Sequence, residues 1–169
     1  MILEPLAPDH ATEMVAVLAP PELYTFIGGE PPTLDALRTR YQKQAVGHSP
    51  SDDAGWLNWI IRSQTTRDAL GYVQATLTHE NTALVADIAW LITPPAQHHG
   101  IATEATTTML TWLQDHQVIM VRAFIHPDHE ASARIAARLG LSATPTIVDG
   151  EVLWQHFEPS PPSGTDPLQ

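Results

Sequence analysis

A short polar turn near the middle of the chain has the residue types that bind phosphate. The turn and the start of the next segment are Gln97, His98, His99, Gly100, Ile101, Ala102 and Thr103. They follow an apolar, β-prone run at residues 84–93 and open a helical pattern that reaches residue 116. The first amides of a helix lack internal partners and carry partial positive charge. Because Gly100 and Ala102 have little or no side chain, the sequence predicts a pyrophosphate-binding turn at a helix N-terminus.

One acidic residue lies inside the strand that precedes this turn. Asp87 is the only acid in the apolar run of residues 83–92. Burial of a lone carboxylate is costly unless it has a partner, so we expect Asp87 to face a cleft. There it can accept a proton from a reacting group. The alternative is a structural carboxylate that bonds a neighbouring tryptophan indole or Tyr72.

Two histidine clusters raise the question of a metal site. His98 and His99 lie in the polar turn, and His126 and His129 follow a later strand. Four imidazoles could ligate zinc if the fold brought them together. The sequence lacks the helical histidine pair of metalloproteases, and contact with phosphate is the simpler role for His98 and His99. We therefore expect no metal.

The elements that must position these residues alternate along the chain in the order β-α-α-β-β-β-α-β-α-β-β. Strands are predicted at residues 2–6, 56–61, 70–78, 83–93, 118–125, 144–148 and 152–157. Helices are predicted at residues 8–18, from Thr33 as N-cap to about 46, at 101–116, and from Asp128 as N-cap to a stop at Gly140. Asp149 and Gly150 predict the turn of a final hairpin.

Three separated motifs, in the correct order, resemble the GNAT acetyltransferase superfamily. The turn matches its acyl-CoA loop, Arg/Gln-x-x-Gly-x-Gly/Ala, from Gln97 to Ala102. Residues 87–91 and 103–105 are similar to the Glu-Ile-Gly-Tyr strand and the Thr-Glu-Ala helix start of the branch with ribosomal-protein N-terminal acetyltransferases. His129, Ser132, Gly140 and Leu141 resemble the Asn-x-x-Ser…Gly-Phe helix beside the pantetheine arm.

The resemblance implies an α/β fold with a mixed central sheet of about seven strands, flanked by about four helices. The acyl-CoA loop would connect strand 4 to helix 3. Residues 1–158 would form a single acetyltransferase domain. Residues 159–169 are rich in Pro, Ser and Gly and are expected to be a disordered tail.

The resemblance also implies the donor and the residues that hold it. Acetyl-CoA is the expected co-substrate, and its binding residues are Leu91, Ile92, Thr93, Gln97, His98, His99, Gly100, Ile101, Ala102, Thr103, His129 and Ser132. The strand amides around Leu91 and Ile92 would polarise the thioester carbonyl. Two positions depart from the family pattern, since His129 replaces the usual Asn and Ala136 replaces a frequent catalytic Tyr.

The expected activity is transfer of an acetyl group to a primary amine of a small molecule or a peptide N-terminus, by direct attack in a ternary complex. Asp87 would accept the proton of the amine, and Ser132 would protonate the thiolate unless water does so. Phe26, Glu30 and Trp90 are expected to contact the acceptor. The alternative, suggested by the two departures, is a non-catalytic acyl-CoA-binding regulatory domain.

Composition limits the partners. The formal net charge of −11 argues against nucleic acid and is compatible with a cationic amine, although it can also serve only solubility. No apolar run approaches the roughly 20 residues of a membrane span, and the N-terminus lacks a signal-peptide pattern. With no cysteine, disulfides are excluded. A cytoplasmic protein that binds neither membrane nor nucleic acid is expected, and a homodimer is left open.

Overall fold

The computed structural model describes residues 1–157, and the predicted tail at residues 159–169 lies outside the described residues. The strands are β1 (Ile2–Pro5), β2 (Ala54–Arg62), β3 (Ala69–Glu80), β4 (Ala83–Ile92), β5 (Val118–Ile125), β6 (Ser142–Val148) and β7 (Glu151–Phe157). The helices are α1 (Ala11–Val17), α2 (Leu34–Gln44), α3 (Ile101–Asp115) and α4 (Glu130–Arg138). None of the helices in residues 1–157 is both long and apolar enough to span a membrane.

All seven strands form one mixed sheet in the order β1-β2-β3-β4-β5-β7-β6. Neighbouring strands are antiparallel except β4 and β5, which are parallel and are connected through α3. The predicted α/β class, the seven strands and the four helices are confirmed. The one parallel pair matters for function, because the polar turn follows β4 directly.

The helices cover both faces of the sheet. On one face α1 and α2 pack against it through Met14, Leu37 and Tyr41. On the other face α3 and α4 pack against it through residues that include Met109 and Ala136. Side chains alternate between faces along a strand, so consecutive residues of β4 meet different helices.

Local sequence signals set several boundaries. The Thr33 hydroxyl caps α2 by accepting a hydrogen bond from the Ala36 amide at 3.3 Å, as expected. Asp149 and Gly150 both have positive φ in the β6–β7 turn, and Gly140 does so directly after α4. Two expectations were wrong. The first helix is divided into a 3-10 turn (Pro8–His10) and α1, and His129 rather than Asp128 is the N-cap of α4.

Gly71 holds β3 unusually close to the end of β4. A Cβ at this position would lie 2.0 Å from the Leu91 carbonyl oxygen, and the φ of Gly71 is +151°, which L residues rarely adopt. Both facts require glycine here. The close approach fixes the position of Leu91 and Ile92, the last residues of β4.

We predict that Gly71→Ala lowers the free energy of unfolding by about 2–4 kcal/mol, because it combines backbone strain with steric overlap. Chemical denaturation monitored by tryptophan fluorescence measures this loss. Gly55→Ala in β2 is the matched control, since its Cβ would make an ordinary 3.5 Å contact with Leu77. Equal stability of the two variants would contradict this explanation of Gly71.

Candidate active site

The strands β4 and β5 separate part-way along their length and open a cleft between them. Their pairing begins at Leu84 and Val118 and ends at Asp87 and Arg122. β4 nevertheless continues to Ile92, and β5 continues beside β7 to its last residue. The cleft therefore widens toward the polar turn that follows β4.

An ion-pair network lies where the two strands separate. The Nε and Nη2 atoms of Arg122 donate to the two carboxylate oxygens of Asp87 at 2.6 and 3.1 Å. Nη1 of the same guanidinium donates to Glu80 at 2.7 Å. The hydrogen bond to Asp87 is the largest cause of the raised pKa of Arg122. The partner of Asp87 is thus a cation on the neighbouring strand, and neither a tryptophan indole nor Tyr72.

Asp87 lies on the α1–α2 face of the sheet. Its neighbours Ala86 and Ile88 pack into the core beneath α3 and α4, so the alternation of side chains directs Asp87 to the opposite face. Its side chain is 34% exposed, so it can meet solvent or a ligand while it remains paired.

Backbone groups at the end of β4 divide between β3 and the cleft. The Thr93 amide donates to the Leu70 carbonyl at 2.8 Å, so it faces β3. Because hydrogen-bonding direction alternates along an antiparallel ladder, the Leu91 amide also faces β3, whereas the amides of Trp90 and Ile92 face the cleft. The Gln97 side chain supports this direction, since it donates to the Ile92 carbonyl at 2.9 Å.

This geometry gives other contacts to three of the residues expected at the site. The amide of Ile92 faces the cleft, but the amides of Leu91 and Thr93 face β3. Trp90 was expected to contact the acceptor, yet its side chain packs against the core beneath α3. Trp90 lies three residues from Asp87, an odd separation, and therefore occupies the other face of the strand.

The polar turn leads directly into the N-terminus of α3. His98 and Gly100 have left-handed backbones, with φ of +63° and +78°. No side chain in the described part of the chain caps α3, and a Cβ at Gly100 would meet nothing within 4 Å. The exposed turn and the first-turn residues Ile101, Ala102 and Thr103 therefore form an open cradle of backbone amides, which suits a phosphate group.

An aromatic contact connects the loop before α2 to the N-terminus of α4. The Phe26 ring stacks on the His129 ring with centroids 4.5 Å apart, and it also approaches His126 at 5.5 Å. Burial is the main reason that the pKa of His129 is lowered, so its neutral form is favoured. Phe26 and His129 were expected to contact acceptor and donor respectively, and the structure brings them together.

The remaining predicted residues have simpler surroundings. Ser132 is half-buried in the first turn of α4, and among residues 1–157 its hydroxyl has no hydrogen-bond partner. Ser132 therefore does not cap the helix. Ala136 is fully buried, whereas Glu30 is exposed on the loop before α2. Within residues 1–157 no group of three or more His, Asp or Glu side chains is placed to hold a metal ion.

Arg122 is the residue that sequence reasoning missed. It is the one cation in the strand at residues 118–125, and β-strands of this kind rarely carry a charge without a partner. That signal, together with a lone acid in the adjacent predicted strand, could have indicated the pair.

Comparison with solved structures supports the same fold. The chain superimposes on the ribosomal L7/L12 alpha-N-protein acetyltransferase RimL, solved in complex with coenzyme A, with a TM-score of 0.74 and 14% identity over 92% of each chain. A domain from Methanocaldococcus jannaschii gives 0.71 and 18% identity, over 93% of this chain and 97% of that one. An acetyltransferase from Agrobacterium tumefaciens gives 0.68 and 21%, over 92% and 90%. A search of curated protein sequences finds no significant match.

A sequence profile supplies the family. The profile of the acetyltransferase (GNAT) domain matches residues 1–142, which include β1 to β5, the cleft, the polar turn and α4. Since this match covers most of the chain, the protein belongs to the GNAT acetyltransferase family.

Proposed function

We propose that this enzyme transfers the acetyl group of acetyl-CoA to a primary amine of a small molecule or of a peptide N-terminus. The observation that carries the proposal is the cleft between β4 and β5, which opens directly onto the amide cradle of α3. In the reaction the neutral amine nitrogen bonds to the thioester carbonyl carbon. The carbon–sulfur bond breaks, the amine loses a proton, and the coenzyme A thiolate gains one.

The donor would be held by backbone more than by side chains. The pyrophosphate fits the residues from Gln97 to Thr103, with His98 and His99 as exposed polar contacts. The pantetheine arm, an extended chain with amide groups, fits between the separated strands beside His129. The Ile92 and Trp90 amides would then donate to the carbonyls of the donor.

Asp87 is the proposed acceptor of the amine proton. The bidentate contact with Arg122 orients the carboxylate on the α1–α2 face, where the acceptor would approach. Arg122 is a positioning residue in this scheme. Phe26 and Glu30, on the loop before α2, would overhang the acceptor. Ser132 has a free hydroxyl within the described structure and is proposed to protonate the thiolate, with water as the alternative donor.

Turnover separates this function from a non-catalytic acyl-CoA-binding role. Release of free coenzyme A from acetyl-CoA, followed with a thiol reagent across a panel of amines, measures it directly. The chain has no cysteine to react with the reagent. Saturable, amine-dependent release is expected, and tight acetyl-CoA binding without release by any amine would contradict the proposal. A cytoplasmic location remains a prediction, and a homodimer is possible.

Gly100→Glu should abolish acetyl-CoA binding, because it places a negative charge at the proposed pyrophosphate site. Any residue other than glycine at this left-handed position also costs roughly 1–2 kcal/mol of stability. Gly100→Ala carries the same strain without the charge and is therefore the control. Isothermal calorimetry should detect acetyl-CoA binding in the alanine variant only. Binding retained by both variants would exclude this phosphate site.

Asp87→Asn should lower turnover by about 100-fold or more, the usual contribution of a general base. The loss should shrink as pH rises, because more of the acceptor amine is then already neutral. Glu80→Gln is the control, since it removes another carboxylate from Arg122 outside the cleft. A purely structural Asp87 would instead show reduced thermal stability and a rate deficit that does not change with pH.

Ser132→Ala should lower kcat by about tenfold or more if the hydroxyl protonates the thiolate, with an unchanged affinity for acetyl-CoA. Steady-state kinetics at fixed acceptor concentration provide the measurement. An unchanged kcat would assign the proton to water.

A further inference from the structure

A polar groove beside α2 is not accounted for by donor binding or by Asp87. Its volume is about 260 Å³, and it lies between α2 and the sheet on the same face as Asp87. Six polar side chains line it: Arg40, Lys43 and Gln44 from α2, Asn58 from β2, and Gln74 and Thr76 from β3. We call this the α2 groove.

The α2 groove reaches the proposed reaction centre. Asn58 pairs in register with Gln74, and Thr76 pairs in register with Asp87. Adjacent strands are about 4.8 Å apart, so the floor on β3 and β2 lies roughly 5–10 Å from β4. The polar turn that follows Ile92 is farther along β4, so the α2 groove is separate from the proposed pyrophosphate site.

The cations of the groove lack the partners that most other cations have. Of the other six cations, four form an ion pair with a carboxylate: Arg38, Arg62, Arg122 and Arg134. Arg40 and Lys43, three residues apart on one face of α2, form none within residues 1–157.

The polar side chains on the floor of the α2 groove also lack partners. The side chains of Asn58, Gln74 and Thr76 are half-buried, yet in the described part of the chain they have no hydrogen-bond partner. Half-buried amides and hydroxyls in proteins usually bond to protein, water or ligand. Two unpaired cations above a floor of unpaired amides match a carboxylate, which accepts hydrogen bonds from both.

We infer that the acceptor carries a carboxylate, which binds Arg40 and Lys43 while its amine reaches Asp87. This inference rests on the proposed acetyl transfer and names its substrate class. The overall charge of −11 does not oppose it, because screening limits charge effects to about 8 Å at physiological ionic strength. Within that distance the groove presents Arg40 and Lys43, while Asp87, in register with Thr76, is already paired with Arg122. A peptide with an acidic residue next to its reactive N-terminus would supply both the carboxylate and the amine.

A matched pair of acceptors isolates the carboxylate. The dipeptide amides Ala-Glu-NH₂ and Ala-Gln-NH₂ differ in that group alone. We expect the wild-type kcat/KM for Ala-Glu-NH₂ to exceed that for Ala-Gln-NH₂ by about tenfold or more, since charge-assisted hydrogen bonds are the strong ones. Equal use of the two peptides would overturn the inference.

The variant R40Q/K43Q should remove this preference and leave acetyl-CoA affinity unchanged. Arg38→Gln is the matched control, since Arg38 lies on the same helix but outside the groove and 3.8 Å from Asp35. It should retain the preference. A preference that persists in R40Q/K43Q would overturn the inference, as would an equal loss in Arg38→Gln.

Binding distinguishes this inference from the proposed function. Calorimetry with the coenzyme A-saturated protein measures affinity for the two peptides without turnover. Tighter binding of Ala-Glu-NH₂ that is lost in R40Q/K43Q would support the groove even if no amine releases coenzyme A. Amine-dependent release of coenzyme A without any difference in peptide affinity would support acetyl transfer and exclude the carboxylate site.

Discussion

The site depends on a parallel strand pair that holds together at one end and separates at the other. β4 and β5 are joined as far as Asp87 and Arg122, where a bidentate ion pair adds to the backbone ladder. Beyond that point each strand is kept in place by its other neighbour. β3 holds β4 through the close approach at Gly71, and β7 pairs with β5 to its end. The cleft is therefore a fixed consequence of the sheet.

Separation leaves backbone polar groups that the sheet does not satisfy. Burying a peptide group away from water costs free energy unless the group is hydrogen-bonded. The open edge of β4 therefore favours a ligand that supplies hydrogen-bond donors and acceptors. The same applies at the N-terminus of α3, where no side chain of the described residues caps the amides. Both sets of groups lie on the path from β4 into α3, and together they would allow a chain with few cations to bind the proposed polyanionic coenzyme.

Much of the fold could be predicted because its signals are local. The N-cap Thr33, the stop at Gly140 and the Asp149-Gly150 turn each act within a few residues. The polar turn was recognisable for the same reason. The pairing of Asp87 with Arg122 was not, since these residues are 35 positions apart and meet only through strand order. The α2 groove could not be predicted either, because it depends on the distance between a helix and two strands.

The face of β4 that Trp90 occupies could also be predicted. The period of two along a strand was available in the sequence and already separates Trp90 from Asp87. The same period assigns the Leu91 amide to β3 and the Ile92 amide to the cleft, once the hydrogen bond from the Thr93 amide to the Leu70 carbonyl fixes the register.

We expect the donor to bind along the open edge of β4. Amide hydrogen exchange at single-residue resolution, with and without acetyl-CoA, tests this binding mode. The Leu91 and Thr93 amides should be protected in both states, whereas the Trp90 and Ile92 amides should become protected only when acetyl-CoA is present. Protection of Ile92 that is unaffected by acetyl-CoA would contradict the account.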